Sequence, residues 1–453
     1  MMRAAMVLLL VAVPPALAQG AQGDVAVTIY NNNLALVQDV RQLSVSQGRS
    51  RQEFPDVSAQ IRPETVTLTG PGVSIIEQNF DYDLLSPDKL MEKAVGGMIT
   101  IVRTNPATGA ETRETAKVLA ANGGIVLQIG NRIEVLRDDG LPVRVVFDRV
   151  PENLRARPTL SVMIDAAQSG AIPAKLTYLT PGLGWTSDYV ALFDEAANRI
   201  DVQGWVTLTN GTGTTFANAD TLLVAGTVGE GANRYRGGDD AIEAAGTESG
   251  TRERLGDFYL YPLKERTTIA NAQQKQVSFL DVKGAPARKA YEFVNGWLGN
   301  NDEARSAATA IKFSTSRVGG LGDQLPAGTV RVYMRDAKGQ PQFIGENRIG
   351  HTPMGSSMAI RTGEAFDVKV KVVVVERTRL SANRWRTSMR YTITNARPDA
   401  VTVDLAQDGL WGDVRVTAQS IAGERISADR IEWKVPVGGN GSTDLTASFD
   451  SRY

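Results

Sequence analysis

The chain has 453 residues, with 49 Lys and Arg against 50 Asp and Glu, one His and no Cys. That length suggests about three domains, and a net charge of −1 lacks the basic excess of a phosphate-binding surface, so no nucleic-acid partner is expected. Without Cys there is no disulfide framework, thiolate nucleophile, zinc–thiolate site or iron–sulfur cluster, and one His leaves no two-His metal centre, so neither metal nor cofactor is expected.

Met1, Met2 and Arg3 give a positive start, Ala4 to Val13 is unbroken apolar, Pro14 and Pro15 end any helix, and Ala16-Leu17-Ala18 supplies a small-x-small pattern. This is the three-part layout of a secretory signal, with cleavage expected after Ala18. The apolar run is too short to span a bilayer and no later stretch is long enough, so no transmembrane helix is expected. Residues 19–85 read as a small β-sheet unit: Val25, Val27 and Ile29 alternate with Ala26, Thr28 and Tyr30, the period of a half-buried strand. Ser86 then offers a helix cap, Pro87 suits the first helical position, and Gly96 or Gly97 can close a helix of about two turns. Met98–Arg103, Glu114–Ala120, Gly124–Gln128, Arg132–Leu136 and Val143–Phe147 follow as short strands, with Asn122-Gly123 and Gly130-Asn131 at the joints. Residues 86–150 are therefore expected to form an inserted small SH3-like barrel.

From residue 151 to 453 the β pattern resumes as a C-terminal region of one or two sandwiches. Residues 233–252, rich in Gly, Ala, Asp and Glu, read as a mobile loop within it. The expected fold class is mostly β, with β-sandwich domains, the inserted barrel and little helix.

The stretch Leu176-Thr177-Tyr178-Leu179-Thr180-Pro181-Gly182-Leu183-Gly184-Trp185-Thr186-Ser187-Asp188-Tyr189 is distinctive, as is Gly204-Trp205-Val206-Thr207-Leu208-Thr209-Asn210-Gly211-Thr212-Gly213. Pro326-Ala327-Gly328-Thr329-Val330-Arg331-Val332-Tyr333, Phe343-Ile344-Gly345 and Tyr391-Thr392-Ile393-Thr394-Asn395 come later. In this order they resemble the exported β-rich bacterial proteins related to mucoidy inhibitor A, over roughly residues 170–453, including that family's C-terminal domain of unknown function. The chain lacks the heptad-rich helical segment of many such members. The resemblance implies fold and export and brings no reaction, substrate or catalytic residue.

No motif names an activity. His351, the sole imidazole, sits in the loop-like Ile349-Gly350-His351-Thr352-Pro353, and no Gly-x-Ser-x-Gly elbow accompanies it; it reads as a turn residue. Asp81, Asp83 and Asp88 offer oxygens for a hard cation, but not at EF-hand spacing, and a helix start explains Asp88 better. The glycines near Gly319 and Gly438 lack the Lys and Ser or Thr of a phosphate loop. Trp185, Asp188 and Tyr189 form a possible ligand platform whose commoner reading is a core anchor. Arg377, Arg379, Arg384, Arg386 and Arg390 around Trp385, with Arg384, Arg386 and Arg390 the foremost, form a possible stripe for anionic polysaccharide or lipid headgroups whose commoner reading is a solvated outer sheet face. Fifty acids allow many carboxylate pairs, without separations. The expected function is a non-catalytic exported cell-envelope protein, periplasmic or extracellular, acting through binding or assembly with an envelope protein or glycan. The alternative is an exported carboxylate-dependent hydrolase acting on carbohydrate or peptide.

Overall fold

The computed structural model describes residues 22–81, 84–136, 142–151, 154–226, 241–248, 253–301 and 303–452. The signal-type segment with Ala18, Tyr82 and Asp83 of the acidic cluster, and residues 233–240 and 249–252 of the expected loop lie outside the described residues. The chain is mostly β and sandwich-like, as the alternation predicts. Among the described residues its helices are Pro87–Lys93 and the 3-10 turn Pro63–Thr65. No helix among them is long and apolar enough to cross a membrane, a statement that does not concern strands.

The chain divides into two compact units. The first comprises residues up to Gly184 with Leu208–Val224 and Pro262–Gln274. In it Asp24–Tyr30 pairs antiparallel with Leu34–Val45, which pairs in turn with Gly170–Pro181. Thr159–Ala166 lies between Gly48–Pro55 and Val73–Asp81 in a second sheet. The sheets therefore do not divide at residue 151, where the sequence suggested a boundary. Alternation assigns a strand its two faces but not its neighbour, so Gly48–Pro55 and Val73–Asp81 gave no sign that their shared partner is Thr159–Ala166, beyond that boundary.

Between the paired strands Val73–Asp81 and Thr159–Ala166 the chain inserts the small module. Ser86 Oγ accepts from the Lys89 N–H at 3.2 Å, and Pro87 occupies the first turn, as expected of a capped start. The helix buries Met91 against Ile99, Ile101, Val118 and Leu127. Five strands follow, and the sheet runs Val143–Val146, Met98–Thr104, Glu111–Ala120, Ile125–Ile129, Arg132–Leu136. The expected barrel does not close: no ladder joins Val143–Val146 to Arg132–Leu136 among the described residues. The sheet nonetheless curls enough for Arg103 to form an ion pair with Glu134, two strands beyond its own neighbour. Closure requires tilt and stagger, and edge strands of four and five residues offer few groups for it.

The second unit comprises Trp185–Thr207, Ala225–Tyr261 and Lys275–Tyr453. One extended sheet wraps two hydrophobic cores. Ala285, Ala287, Ile311, Phe313, Met358 and Ile360 join Tyr189, Phe193, Val330 and Val332 in one core. Tyr291, Phe293, Val368, Val370 and Val372 join Tyr391, Leu405, Trp433 and Phe449 in the other. Gln273–Asn295, Arg305–Ser314 and Ser357–Ser381 serve both, so the cores are linked by continuous strands. Residues 241–248 of the expected mobile loop are ordered into this unit: Ile242–Ala244 pairs with Ser357 and Met358, and Ala241 is buried. The small, acidic composition that suggests a loop also suits a short edge strand whose Ala fits a core.

Candidate functional site

The strands that build the two cores carry charged residues on their opposite faces. Tyr291 and Phe293 point into the core, which leaves Glu292 outward; Val403 and Leu405 do the same for Asp404, and Ile311 and Phe313 for Lys312. Glu292 stands opposite Asp404 across a parallel pair, and Lys312 stands opposite Ala359 on the next strand. Glu243, on Ile242–Ala244, covers them from the side. These residues line a cleft of about 590 Å³ with Arg361, Asp408, Arg430, Glu432, Ile242 and Ile426.

Lys312 is the hub. Its Nζ lies 2.5 Å from Glu243 Oε1, 2.9 Å from Glu292 Oε1 and 2.9 Å from Asp404 Oδ2, so three carboxylates surround one ammonium, with the hydrogen bond directed at Asp404. The Lys312 side chain is only 10% exposed. Burial works against its charge, but the carboxylates of Glu243, Asp404 and Glu292 outweigh that and hold its pKa above the ordinary lysine value. Glu292 also accepts from Arg361 Nε at 3.3 Å, and Asp408 pairs with Arg430 at 3.6 Å. Asp408 Oδ1 is buried with no hydrogen-bond partner. Glu432 is held differently: burial first, then the charge of Asp404, raises its carboxyl pKa, against the lowering effect of Lys312 and Arg430. Among the described residues no group of three or more His, Asp or Glu has a metal-holding arrangement.

This arrangement cannot supply a lysine nucleophile or base, because both roles need a neutral amine and the three carboxylates favour the ammonium. It presents instead a polar wall of alternating sign, with carboxylates held by cations and an uncommitted acceptor at Asp408.

The residues singled out by sequence lie elsewhere. Trp185 and Tyr189 are buried, 5% and 0% exposed, so they form no ligand platform. The Tyr189 hydroxyl donates to Pro326 O at 2.8 Å, and its ring meets Phe279 edge-on at 5.8 Å. Trp185 lies 6.3 Å from the Tyr261 ring, with Nε1 buried and unpaired. Asp188, on the other face of the same strand, pairs with Arg331 at 2.7 Å. Packing two large rings inward satisfies the core and leaves only the aspartate outside. Three arginines of the basic stripe are likewise neutralised, while Arg377 and Arg379 have no carboxylate partner among the described residues. Arg386 makes a bidentate pair with Asp450 at 2.7 and 2.9 Å, Arg384 lies 4.0 Å from the same carboxylate, and Arg390 lies 4.0 Å from Asp444. His351 is exposed, and its Nδ1 accepts from the Ala327 N–H at 3.2 Å, a local contact that places it as a loop residue, as the sequence suggests.

Glu243, Glu292, Lys312, Asp404 and Glu432 drew no attention in sequence. The available signal was a single charge inside an apolar run: Tyr291-Glu292-Phe293, Ile311-Lys312-Phe313 and Val403-Asp404-Leu405. The chain matches no protein-family model, and no curated protein matches it in sequence.

Proposed function

We propose that the chain is a non-catalytic exported cell-envelope protein that acts by binding or assembly. The observation that carries this reading is the carboxylate cage around Lys312: Glu243, Glu292 and Asp404 each hold an oxygen within 2.9 Å of its buried ammonium, and Asp404 accepts a hydrogen bond from it. Chemistry by any of those acids would first have to break a buried ion pair, whereas a wall of fixed charges binds a polar partner without rearrangement. The leader-type segment ending at Ala18 and the resemblance to proteins related to mucoidy inhibitor A support export. Recovery from a bacterial envelope fraction of protein beginning at Gln19 is the expected result; protein retaining Met1 in the cytoplasm contradicts it.

A second reading, a carboxylate-dependent hydrolase of carbohydrate or peptide, is favoured by one feature. Glu432 has a raised pKa beside Glu292 and Asp404, which pair with an ammonium, and divergent carboxyl environments are how hydrolases separate acid from base. Incubation with glycan and peptide panels separates the two. Binding without product supports the first reading; turnover abolished by Glu432→Gln, with folding intact, establishes the second.

A further inference from the structure

Two loops of the second unit present tryptophans to solvent from rigid anchors. Trp297 is 41% exposed and Trp411 63%, with ring centroids 5.7 Å apart and planes inclined by 32°. Neither loop is loose. Leu298 and Leu410, beside them in sequence, are buried in the C-terminal core, so each loop buries a leucine and leaves the larger indole outside. Beneath them runs a hydrogen-bonded network. Asn295 Nδ2 donates to Trp297 O at 2.6 Å and to Gln407 Oε1 at 2.8 Å, Tyr391 donates to Gln407 Oε1 at 2.6 Å, and Gln407 Nε2 donates to Asp408 O at 2.7 Å. Asn295, Gln407 and Tyr391 are all buried. A large exposed apolar surface held this firmly is a feature of binding sites, where aromatic contact area is fixed before the ligand arrives.

A shallow pocket of about 230 Å³ extends from Trp297 and is completed by Arg377, Trp385, Thr387 and Ser451. The Arg379 guanidinium lies over the Trp385 ring, 5.7 Å from its centroid. Arg377 donates to Leu298 O and to Thr387 Oγ1, and Arg379 to the carbonyls of Ser381 and Ala382. Unlike Arg384, Arg386 and Arg390, these two cations have no carboxylate partner among the described residues. The pocket sets two tryptophans beside cations left without an acid among the described residues, which complements a ligand carrying both apolar ring faces and negative charge.

We propose that Trp297, Trp411 and Trp385 form a binding surface for an acidic polysaccharide. Sugar rings place their polarised C–H faces on the electron-rich indole faces, as other positive edges do. Thr387 and Ser451 are buried beneath the pocket and support it from within, Thr387 by accepting from Arg377 and Ser451 by donating to Trp385 O, and carboxylates on the chain meet the guanidinium groups of Arg377 and Arg379. The assignment rests on the reading of the protein as a binder but uses a surface other than the Lys312 cleft.

The test is titration of full-length protein with oligogalacturonate and, in parallel, a cello-oligosaccharide of equal length, followed by calorimetry and tryptophan fluorescence. Trp297→Ala and Trp411→Ala are each expected to weaken oligogalacturonate binding roughly tenfold or more. Arg379→Ala is expected to weaken it and reduce its salt dependence, and the neutral chain to bind roughly tenfold more weakly than the acidic one. Glu432→Gln in the cleft, and Phe366→Ala at an aromatic that is 90% exposed elsewhere, are expected to bind as wild type. Near-UV circular dichroism and unfolding midpoints confirm that each variant is folded. No binding by wild-type protein, equal affinity for both chains, or tryptophan variants that bind normally overturns the proposal. Loss in Glu432→Gln alone overturns the platform while leaving the protein a binder through its cleft.

Discussion

Glu292 and Asp404 face each other across parallel strands and share one cation: each carboxylate lies 2.9 Å from Lys312 Nζ, so the two paired oxygens are at most twice that distance apart. Both carboxylates are largely buried, so the cation is what makes their proximity tolerable. Lys312→Met is expected to cost about 3–5 kcal/mol in urea unfolding at pH 7, because it leaves buried like charges uncompensated. The triple variant Lys312→Met, Glu292→Gln, Asp404→Asn removes the charges along with the cation and is expected to recover most of that loss. A loss below about 1 kcal/mol in the single variant would show the cluster to be effectively solvated. The sign with pH is fixed: the folded lysine pKa is raised, so its contribution is complete below the unfolded lysine value and fades only as alkaline pH passes the folded one.

The contrast between what was legible and what was not lies in the range of the interactions. Ser86, Pro87 and the alternation of Val25, Val27 and Ile29 act over a few residues, and the structure places them as the sequence suggests. The pairing of Leu34–Val45 with Gly170–Pro181 is long-range, and nothing local marks it. The same holds for the cleft. Glu243, Lys312 and Asp404 come from three distant strands, and each alone looks like one polar residue on a solvated face. Trp185 and Trp411 make the point in reverse. Neither sequence context tells which indole is inside, because that depends on the layer packed over it, and one proves buried and the other exposed.

Glu432 carries a pH dependence of its own. Its folded pKa lies above the ordinary carboxylate value, chiefly through burial, so folding favours its protonated form. The stability this confers is complete below the unfolded glutamate pKa and is lost as pH rises through the folded one. Glu432→Gln keeps the neutral shape at every pH. It is expected to stabilise the protein at pH 7, by less than about 1 kcal/mol because the group is partly solvated, and to have no effect near pH 4. Melting curves at the two pH values check this; a destabilised variant at pH 7 would mean that the ionised carboxylate is a net asset to the cleft.

The network under the tryptophan loops predicts an ordering of two variants. Tyr391→Phe removes one donor from Gln407 Oε1, which still receives Asn295, and is expected to cost about 1 kcal/mol. Gln407→Leu removes the bonds to Tyr391, Asn295 and Asp408 together and leaves buried polar groups unpaired, so it is expected to cost at least about twice as much. Chemical denaturation gives both values, and amide exchange at Asp408, whose N–H donates to Asn295 O at 2.8 Å, is expected to accelerate in the second variant. Equal costs would show that Gln407 is not the centre of the network.

Gly409 links that network to the indole above it. Its φ is +74°, and a Cβ there would lie 2.4 Å from Gly296 O and 3.0 Å from Trp297 Cε3. Gly339 has nearly the same φ, +77°, but open space where its Cβ would go. Gly339→Ala therefore meets only the left-handed backbone penalty, about 1–2 kcal/mol. Gly409→Ala meets that penalty and a backbone collision, so it is expected to be clearly the more destabilising and to push the Gly296–Trp297 segment away from Trp411. The displacement is read in tryptophan fluorescence, which Gly339→Ala should leave unchanged. If the two substitutions cost the same and neither alters the emission, the close approach of Gly409 to Gly296 does not position Trp297.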